Sequence, residues 1–229
     1  MDREELKAKY KDEQVLCVKD IDYIAWLSVY DNDNLKALQD SIEYHGMFKL
    51  RYEAEINEDF KQIIPYIVVK NKQGKYFVTK RIGGDNRLVG SYSLGLGGHV
   101  NPCDMVKSEN PRLIMDSIRT LSNCMYRELE EETNANIKKF TFMDKGAFVD
   151  KSQPVSRVHL CKLVEATYNG EFGIKEVDKL EGQWMSPSEI DGIYDKLEGW
   201  SKIACDMLIK NRQPRNTRDT RQNKKGKVR

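Results

Sequence analysis

Glutamates are concentrated in the stretch YRELEEETNA, which runs from Tyr126 to Ala135 and has an arginine as its second residue. Carboxylates at helical neighbour spacing repel one another. Such a run therefore either faces solvent or lies against positive charge. We expect the stretch to be helical, because apolar residues recur upstream at helical spacing, at Ile114, Ile118, Leu121, Met125 and Leu129.

The phase of this helix decides where the glutamates point. At about 100° per residue, Glu132 falls in phase with the apolar stripe, Glu128 and Glu131 lie along one flank, and Glu130 points away. Burying carboxylates without a counter-charge is costly or forces protonation, and oxygen ligands spaced i, i+3 and i+4 suit Mg²⁺ or Mn²⁺. A solvated helix surface with a frayed end explains the same pattern, and phase alone does not separate the two interpretations.

A known sequence box contains the same residues. RELEEETNA, with the upstream turn GGHV, resembles the box of the Nudix hydrolase superfamily, Gly-x5-Glu-x7-Arg-Glu-apolar-x-Glu-Glu-x-Gly-apolar. The longer phrase KQIIPYIVVKN…RLVGSYSLGLGGHVN resembles a bacterial and phage subgroup of predicted phosphoesterases in this superfamily. The likeness covers roughly residues 59–208, and the positions that match the box are Gly98, Arg127, Glu128, Leu129, Glu131, Glu132 and Ala135.

The sequence departs from the box in two places. Gly98 and Arg127 are 29 positions apart instead of 14, so about 15 residues are inserted. Counting back from Arg127 puts the first box glutamate at Arg119, and counting forward from Gly98 puts it at Asp104, which we prefer. Asn134 replaces the final glycine, and we expect this change to be mild because Asn tolerates the left-handed backbone that ends many helices.

The resemblance implies roles for these residues. Glu131 and Glu132 would bind Mg²⁺ or Mn²⁺ together with the backbone carbonyl of Gly97, and Glu128 would be a metal ligand or the general base. Arg127 would hold the carboxylates through charge-assisted hydrogen bonds. Taken from the residues alone, Arg127 could equally form an ordinary surface pair with Glu131. The catalytic set is thus Arg127, Glu128 and Glu131.

Members of the family often supply one more acid from a loop before the last helix, and Glu176 is our first choice, with Glu181 second. Candidate phosphate contacts are Lys80 and Arg81 at the end of a strand, Arg87 in the glycine-rich loop, and Gly98. His159 lies in an apolar strand and is expected to be a core histidine. Three aromatic residues could stack a nucleobase but are better explained as core, namely Tyr52, Tyr66 and Phe148.

The fold class that the pattern predicts is α+β, because hairpin strands surround a central helix and a late helix. The resemblance implies the Nudix α/β/α sandwich with a mixed central sheet. We expect an α/β extension over residues 1–60 packed on the core, a Nudix domain over 61–209, and a disordered basic tail over 210–229. We expect three helices: one over 32–45 ended by Gly46, one from Pro111 capped by Asn110, and a last one after Ser186 or Ser188. We expect strands over 48–56, 140–148 and 157–164, and two further strands joined by the turn NKQG.

Charge and cysteine content restrict the setting of the protein. The net charge is +2, but residues 210–229 hold nine Lys or Arg and one Asp, so the tail carries +8 and the rest −6. Such a tail could contact RNA, although a solubilising terminus is the simpler interpretation and the tail has no aromatic residue for stacking. The five cysteines form no metal or disulfide pattern, which fits the cytoplasm. No apolar run predicts a membrane partner, and the oligomeric state stays open, with a homodimer as one option.

The function implied by the resemblance is metal-dependent hydrolysis of a pyrophosphate bond in a nucleoside diphosphate-linked, nucleotide-type substrate. The alternative is a Nudix-fold module that binds nucleotide or RNA and has lost catalysis through its altered box. An isomerase of prenyl diphosphates is less favoured, because Cys103 is the one thiol near the glycine turn and nothing around it predicts reactivity.

Overall fold

The computed structural model describes residues 2–19, 32–83, 89–152 and 154–210. Its strands are β1 (Gln14–Lys19), β2 (Met47–Leu50), β3 (Phe60–Asn71), β4 (Tyr76–Arg81), β5 (Tyr92–Ser93), β6 (Phe140–Phe148), β7 (His159–Tyr168) and β8 (Leu180–Met185). Its helices are α1 (Arg3–Tyr10), α2 (Asn32–His45), α3 (Arg51–Ala54), α4 (Ser117–Glu132), α5 (Pro154–Arg157), α6 (Pro187–Gly192) and α7 (Gly199–Leu208).

The strands form one mixed sheet centred on β3. β1 joins β2 and β3 in antiparallel pairs, β7 lies parallel to β3 over ten residue pairs, and β6 is antiparallel to β7. β3 and β4 meet at Lys70 and Tyr76, and β4 also pairs with β5 and β8. The NKQG turn between β3 and β4 is as expected, with Gly74 at a φ of 77° where a side chain would be strained.

Helices cover both faces of the sheet. On one face, Leu121 and Cys124 of α4 pack with Ile42 of α2 against Ile63 and other apolar strand residues. On the other face, residues of α6 and α7 pack over a separate apolar cluster that includes Ile190, Ala204 and Cys205 with Val68 and Leu163. This confirms the α+β class and the α/β/α sandwich with a mixed sheet. None of the five cysteines, all of which are described, is in a disulfide.

Pro65 lies inside β3 instead of at a sheet edge. Pairing of β3 with β1 ends at Gln62, and the next contact on that side is an isolated bridge between Ile67 and Leu96. Pro65 lies in the gap between these two contacts. A strand paired with β3 at this point would need a backbone N–H at residue 65, which proline lacks. The gap is filled by the glycine-rich segment before α4.

Three predicted elements were wrong in extent. The helix expected from Pro111 begins at Ser117, capped by Asp116, whose carboxylate accepts from the Arg119 amide at 2.9 Å. The strand expected over 48–56 ends at Leu50, and the chain turns into α3. The last helix is split into α6 and α7, of which α6 is capped by Ser186 as expected.

The inserted segment explains why α4 begins late. The Ile114 amide donates to the Glu43 carbonyl at 2.7 Å, and Met115 is fully buried in the cluster shared by α2 and α4. These contacts hold the segment against α2 in an irregular path. Ile114 and Ile118, which we assigned to the buried stripe, are in fact exposed, whereas Leu121, Met125 and Leu129 are buried.

Some expectations fall on residues outside the described ranges. These are Arg87 and the tail beyond Lys210. Lys210 itself contacts the domain, because its ammonium lies 2.6 Å from an Asp191 carboxylate oxygen and 3.7 Å from the centre of the Tyr194 ring. Of the helices in the described ranges, none has the length and apolarity needed to span a bilayer.

Candidate active site

The glycine turn is fixed by its close approach to the sheet. A Cβ on Gly97 would lie 2.1 Å from the Pro65 carbonyl oxygen, inside any van der Waals contact. A Cβ on Gly98 would lie 2.3 Å from a carboxylate oxygen of Glu128. Position 97 therefore admits only glycine, whereas a side chain at position 98 would displace the Glu128 carboxylate. The two glycines let the backbone of the turn run directly beside the Glu128 side chain.

Arg127 is hydrogen-bonded to three carboxylates beside this turn. Its Nε and Nη2 donate to the two oxygens of Asp104 at 3.0 and 2.8 Å, and its Nη1 donates to Glu128 at 2.7 Å and to Glu131 at 3.2 Å. Nη2 also donates to the His99 carbonyl at 2.8 Å. The planar guanidinium thus ties α4 to the turn, which a simple surface pair with Glu131 would not do.

Asp104, which we preferred as the first acid of the box, is hydrogen-bonded to Arg127. It ends a single 3₁₀ turn, Pro102–Asp104, and its side chain is almost fully buried. It also accepts from the Asn101 amide at 2.9 Å, so both oxygens are bonded. Counting forward from Gly98 therefore leads to an acid that is bonded to Arg127, and Asp104 stays our preferred counterpart of the first box glutamate. Arg119 lies in the first turn of α4, exposed.

Electrostatics at the end of α4 favour a bound cation. The pKa of Glu132 is raised to about 7, mainly by burial and then by the neighbouring carboxylates of Glu128, Glu176 and Glu131, with Arg81 as a smaller opposing cause. Burial likewise raises the pKa of Glu128, against the lowering effect of Arg127. A carboxylate that is costly to ionise beside other carboxylates is stabilised by a divalent cation.

Glu176 reaches this cluster because its loop is bonded to the end of α4. The Lys175 amide donates to the Glu132 carbonyl at 2.8 Å, and Thr133 forms a bridge with Ile174. The Lys175 ammonium also donates to the Glu130 carbonyl. Glu176 pairs with Lys179 at 3.2 Å on the open side of the loop.

Asn134 contributes to the same junction in a way that we did not expect. Its φ is not positive, since among the described non-glycine residues that conformation is found at Lys11. Instead the Asn134 side-chain oxygen accepts from the Gly173 amide at 2.7 Å, and the Asn134 amide donates to the Gly173 carbonyl at 3.1 Å. The residue that replaces the final box glycine therefore anchors the loop that carries Glu176.

These residues share one large cavity of about 720 Å³, a size typical of small-molecule sites. The acids and the glycine turn form one wall, and Arg81, Arg51, Tyr66 and Trp200 contribute elsewhere. The predicted residues that line it are Gly97, Gly98, Arg127, Glu128, Glu131, Glu132, Glu176 and Arg81. Lys80 is not among the lining residues, and its ammonium lies 5.9 Å from the centre of the Tyr92 ring.

Among the basic residues that we considered as phosphate contacts, Arg81 lines the cavity. Its Nε donates to Glu198 at 3.2 Å, which fixes the guanidinium at the cavity wall. The Ser91 hydroxyl donates to the same carboxylate oxygen at 3.2 Å.

The aromatic residues that we considered for base stacking belong to the core. Tyr52, Tyr66 and Phe148 are each at most 8% exposed. The Tyr66 hydroxyl is hydrogen-bonded to Ser201 at 2.9 Å and accepts from the Gly95 amide at 2.9 Å. Trp200, which no sequence motif singled out, is the partly buried aromatic residue that lines the cavity, edge-on to Tyr66 at 5.8 Å.

Two histidines meet beside the cavity. His159, which we expected in the core, is 7% exposed, and its Nε2 lies 3.3 Å from the Nε2 of His99. Burial, with Arg51, His159 and Arg127 as smaller causes, lowers the pKa of His99 well below its usual value. Neither Arg51 nor His99 was predicted at the site, because no spacing rule connects them to the box.

The oxygen-rich wall fits a hard divalent cation. Glu128, Glu131, Glu132 and Glu176 supply carboxylate oxygens, and the Gly97 backbone adds a carbonyl. Mg²⁺ and Mn²⁺ prefer such ligands. The raised pKa of Glu132 fits the same conclusion, because the cation would offset the repulsion that raises it.

Comparison with known proteins finds related sequences and structures, of which three illustrate the range. Protein YmaB of Bacillus subtilis (strain 168) is 32% identical over 193 residues, which cover 81% of this chain and 89% of that protein. The solved structure of Tm1382, described as a candidate Nudix hydrolase, superposes with a TM-score of 0.68 at 26% identity, over 87% of this chain and all but 1% of Tm1382. The dihydroneopterin triphosphate pyrophosphohydrolase of E. coli matches with a TM-score of 0.42 at 13% identity, over 65% of this chain and 95% of its own. No family model matches the chain.

Proposed function

Because this chain belongs to the Nudix hydrolase superfamily, we propose that it is a metal-dependent pyrophosphohydrolase acting on a nucleoside diphosphate-linked substrate. The observation that carries the proposal is the Arg127 guanidinium, which donates to Asp104, Glu128 and Glu131 at 2.7–3.2 Å. Arg127, Glu128 and Glu131 line the cavity, and these hydrogen bonds hold the two glutamates in place before any substrate arrives.

Glu131, Glu132 and Glu176 are the residues that would hold Mg²⁺ or Mn²⁺, with the Gly97 carbonyl. The bound ion would supply charge neutralisation at the phosphate oxygens. Glu128 is either a further ligand or the base that accepts a proton from water. Its raised pKa and its position beside Gly98 support a proton-accepting role.

Substrate contacts are proposed for further residues that line the cavity. Arg81 is positioned by Glu198 to donate to phosphate oxygens, and the backbone of Gly98 leaves room for a phosphate beside it. Trp200 offers an apolar edge for the remainder of a nucleotide. Lys80 points its ammonium elsewhere and is not included in this set.

The test is a panel of nucleoside diphosphate-linked compounds incubated with the purified protein and Mg²⁺ or Mn²⁺, with products identified by mass. We expect at least one compound to be split at the pyrophosphate, and we expect Glu131→Gln and Glu132→Gln each to abolish turnover. Glu130→Gln is the matched control on the exposed side of α4 and should be fully active. Turnover that survives both site substitutions overturns the metal assignment, and binding without turnover across the panel favours a binding module.

A further inference from the structure

A second group of ligand-type side chains lies next to the carboxylate wall. Glu55, His99 and His159 each place one ligand atom within 4.8 Å of the others. They come from three separate parts of the chain, namely the end of α3, the residue after Gly98, and the first residue of β7. We call these three residues the histidine cluster.

The spacing of the two imidazoles matches a shared metal ion. Zinc–imidazole bonds of about 2.0–2.1 Å at a tetrahedral angle put two nitrogens about 3.3–3.4 Å apart. The Nε2 atoms of His99 and His159 are 3.3 Å apart. That separation is long for a hydrogen bond between two ring nitrogens. The rings meet edge to face with their centres 5.4 Å apart, so both nitrogens converge without stacking.

Arg51, the guanidinium beside the cluster, is paired with two carboxylates. Its Nε donates to one oxygen of Glu55 at 3.2 Å, and its Nη1 donates to both oxygens of Glu13 at 3.0 and 3.1 Å. The Glu55 carboxylate has a second oxygen, and its side chain is only 9% exposed. Arg51 therefore holds Glu55 in place beside the two imidazoles.

A buried amide beside the cluster supports the same conclusion. Gln62 is fully buried and pairs in register with His159 on the parallel neighbouring strand, so the two side chains share a face of the sheet. Neither the oxygen nor the nitrogen of its amide is hydrogen-bonded to any group in the part of the chain that the structure describes. A buried amide needs a partner, and a metal ion or its bound water would provide one.

We propose that Glu55, His99 and His159 form a second cation site, separate from the carboxylate wall and specific for zinc or a similar first-row transition metal. Two imidazoles with one carboxylate are the ligand set that such metals prefer, whereas Mg²⁺ prefers oxygen alone. The site joins the residues before β3 to the glycine turn and to β7. It does not depend on the pyrophosphohydrolase proposal, because it uses none of the four glutamates assigned there.

The test is zinc binding by the full-length protein in millimolar Mg²⁺, which occupies the carboxylate wall but leaves imidazoles free. We expect one zinc per chain in the unmodified protein and in Glu131→Gln. His159→Asn and Glu55→Gln should weaken zinc binding by about tenfold or more. His45→Asn, on the exposed end of α2, is the matched control and should bind zinc normally.

X-ray absorption at the zinc edge of the unmodified protein keeps the test independent of how the variants fold. The proposal predicts two imidazole nitrogens in the first shell at about 2.0–2.1 Å. The chain has three histidines, and His45 lies on the exposed end of α2. Two imidazoles on one zinc within a single chain therefore point to His99 and His159. A shell of oxygens alone, no stoichiometric zinc, or unchanged affinity in folded His159→Asn would each overturn the site.

Discussion

Replacing Glu132 with glutamine should stabilise the metal-free protein at neutral and alkaline pH. The pKa of Glu132 is about 7 in the folded protein against 4.5 for an unperturbed glutamate. Below about pH 4.5 the side chain is protonated in both states, and folding has no ionisation cost. Between these values the unfolded chain ionises first, so the free energy of unfolding falls as the pH rises, and above about pH 7 the full penalty applies.

The size of the penalty follows from the same difference. Each pH unit between the two pKa values corresponds to about 1.4 kcal/mol, so a difference of about 2.5 units gives an upper value of about 3.4 kcal/mol. Glutamine keeps a polar amide at the same position, which must still be hydrogen-bonded or partly solvated. We therefore expect Glu132→Gln to raise the free energy of unfolding by about 2–3 kcal/mol at pH 8 in EDTA.

Urea unfolding followed by tryptophan fluorescence, at several pH values between about 5 and 8, measures this difference. The gain of the variant over the unmodified protein should shrink as the pH falls. Mg²⁺ at pH 8 should stabilise the unmodified protein more than Glu132→Gln, because the ion offsets the penalty. Glu130→Gln, whose side chain is exposed, should show neither effect. A Glu132→Gln protein that is no more stable than the unmodified one at pH 8 in EDTA refutes the reasoning.

Three further outcomes are expected. Gly98→Ala should push the Glu128 carboxylate aside, because the added Cβ would lie 2.3 Å from it. Turnover should therefore fall by about 10²-fold or more while the urea midpoint moves little, and a variant with normal turnover would contradict this. Arg127→Ala should destabilise the fold by about 3–5 kcal/mol in urea, because it leaves the buried Asp104 carboxylate without its partner, and a loss below about 1 kcal/mol would mean that the bidentate contact is unimportant. Removal of the residues after Lys210 should leave turnover of small nucleotides unchanged in a steady-state assay, and a large loss would show that the tail is part of the site.

The box could be read from the sequence because it depends on short-range spacing. Residues at i, i+3 and i+4 of one helix share a side whatever the rest of the fold does, and this brought Glu128, Glu131 and Glu132 to the cavity. Asp104 lies in a 3₁₀ turn close after the glycine turn, so counting from Gly98 needed only short-range spacing. Both predictions depend only on residues that are close together in sequence.

Tertiary contacts decided the features that the sequence did not indicate. Asn110 and Pro111 are good helix-start residues, yet the backbone bond from Ile114 to Glu43 keeps the insertion irregular, and α4 starts six residues after Pro111. Asn134 fits a left-handed cap, but its side chain finds Gly173 instead. In both places a partner far away in sequence overrides the local preference.

The histidine cluster was invisible for a similar reason. Its members are at positions 55, 99 and 159, and they meet only because the sheet and the glycine turn bring three distant segments together. No motif spacing describes such a site. The N-terminal residues before β3, which resemble the family least, thus contribute directly to the surroundings of the cavity.

Anomalous diffraction from crystals soaked in Mn²⁺ would locate the metal site. We expect a manganese peak among the carboxylates of Glu128, Glu131 and Glu132, within ligand distance of the Gly97 carbonyl. The peak should be absent in a Glu131→Gln, Glu132→Gln double variant that crystallises in the same form. A map with no manganese at these carboxylates, at a concentration that supports turnover, would overturn the metal assignment.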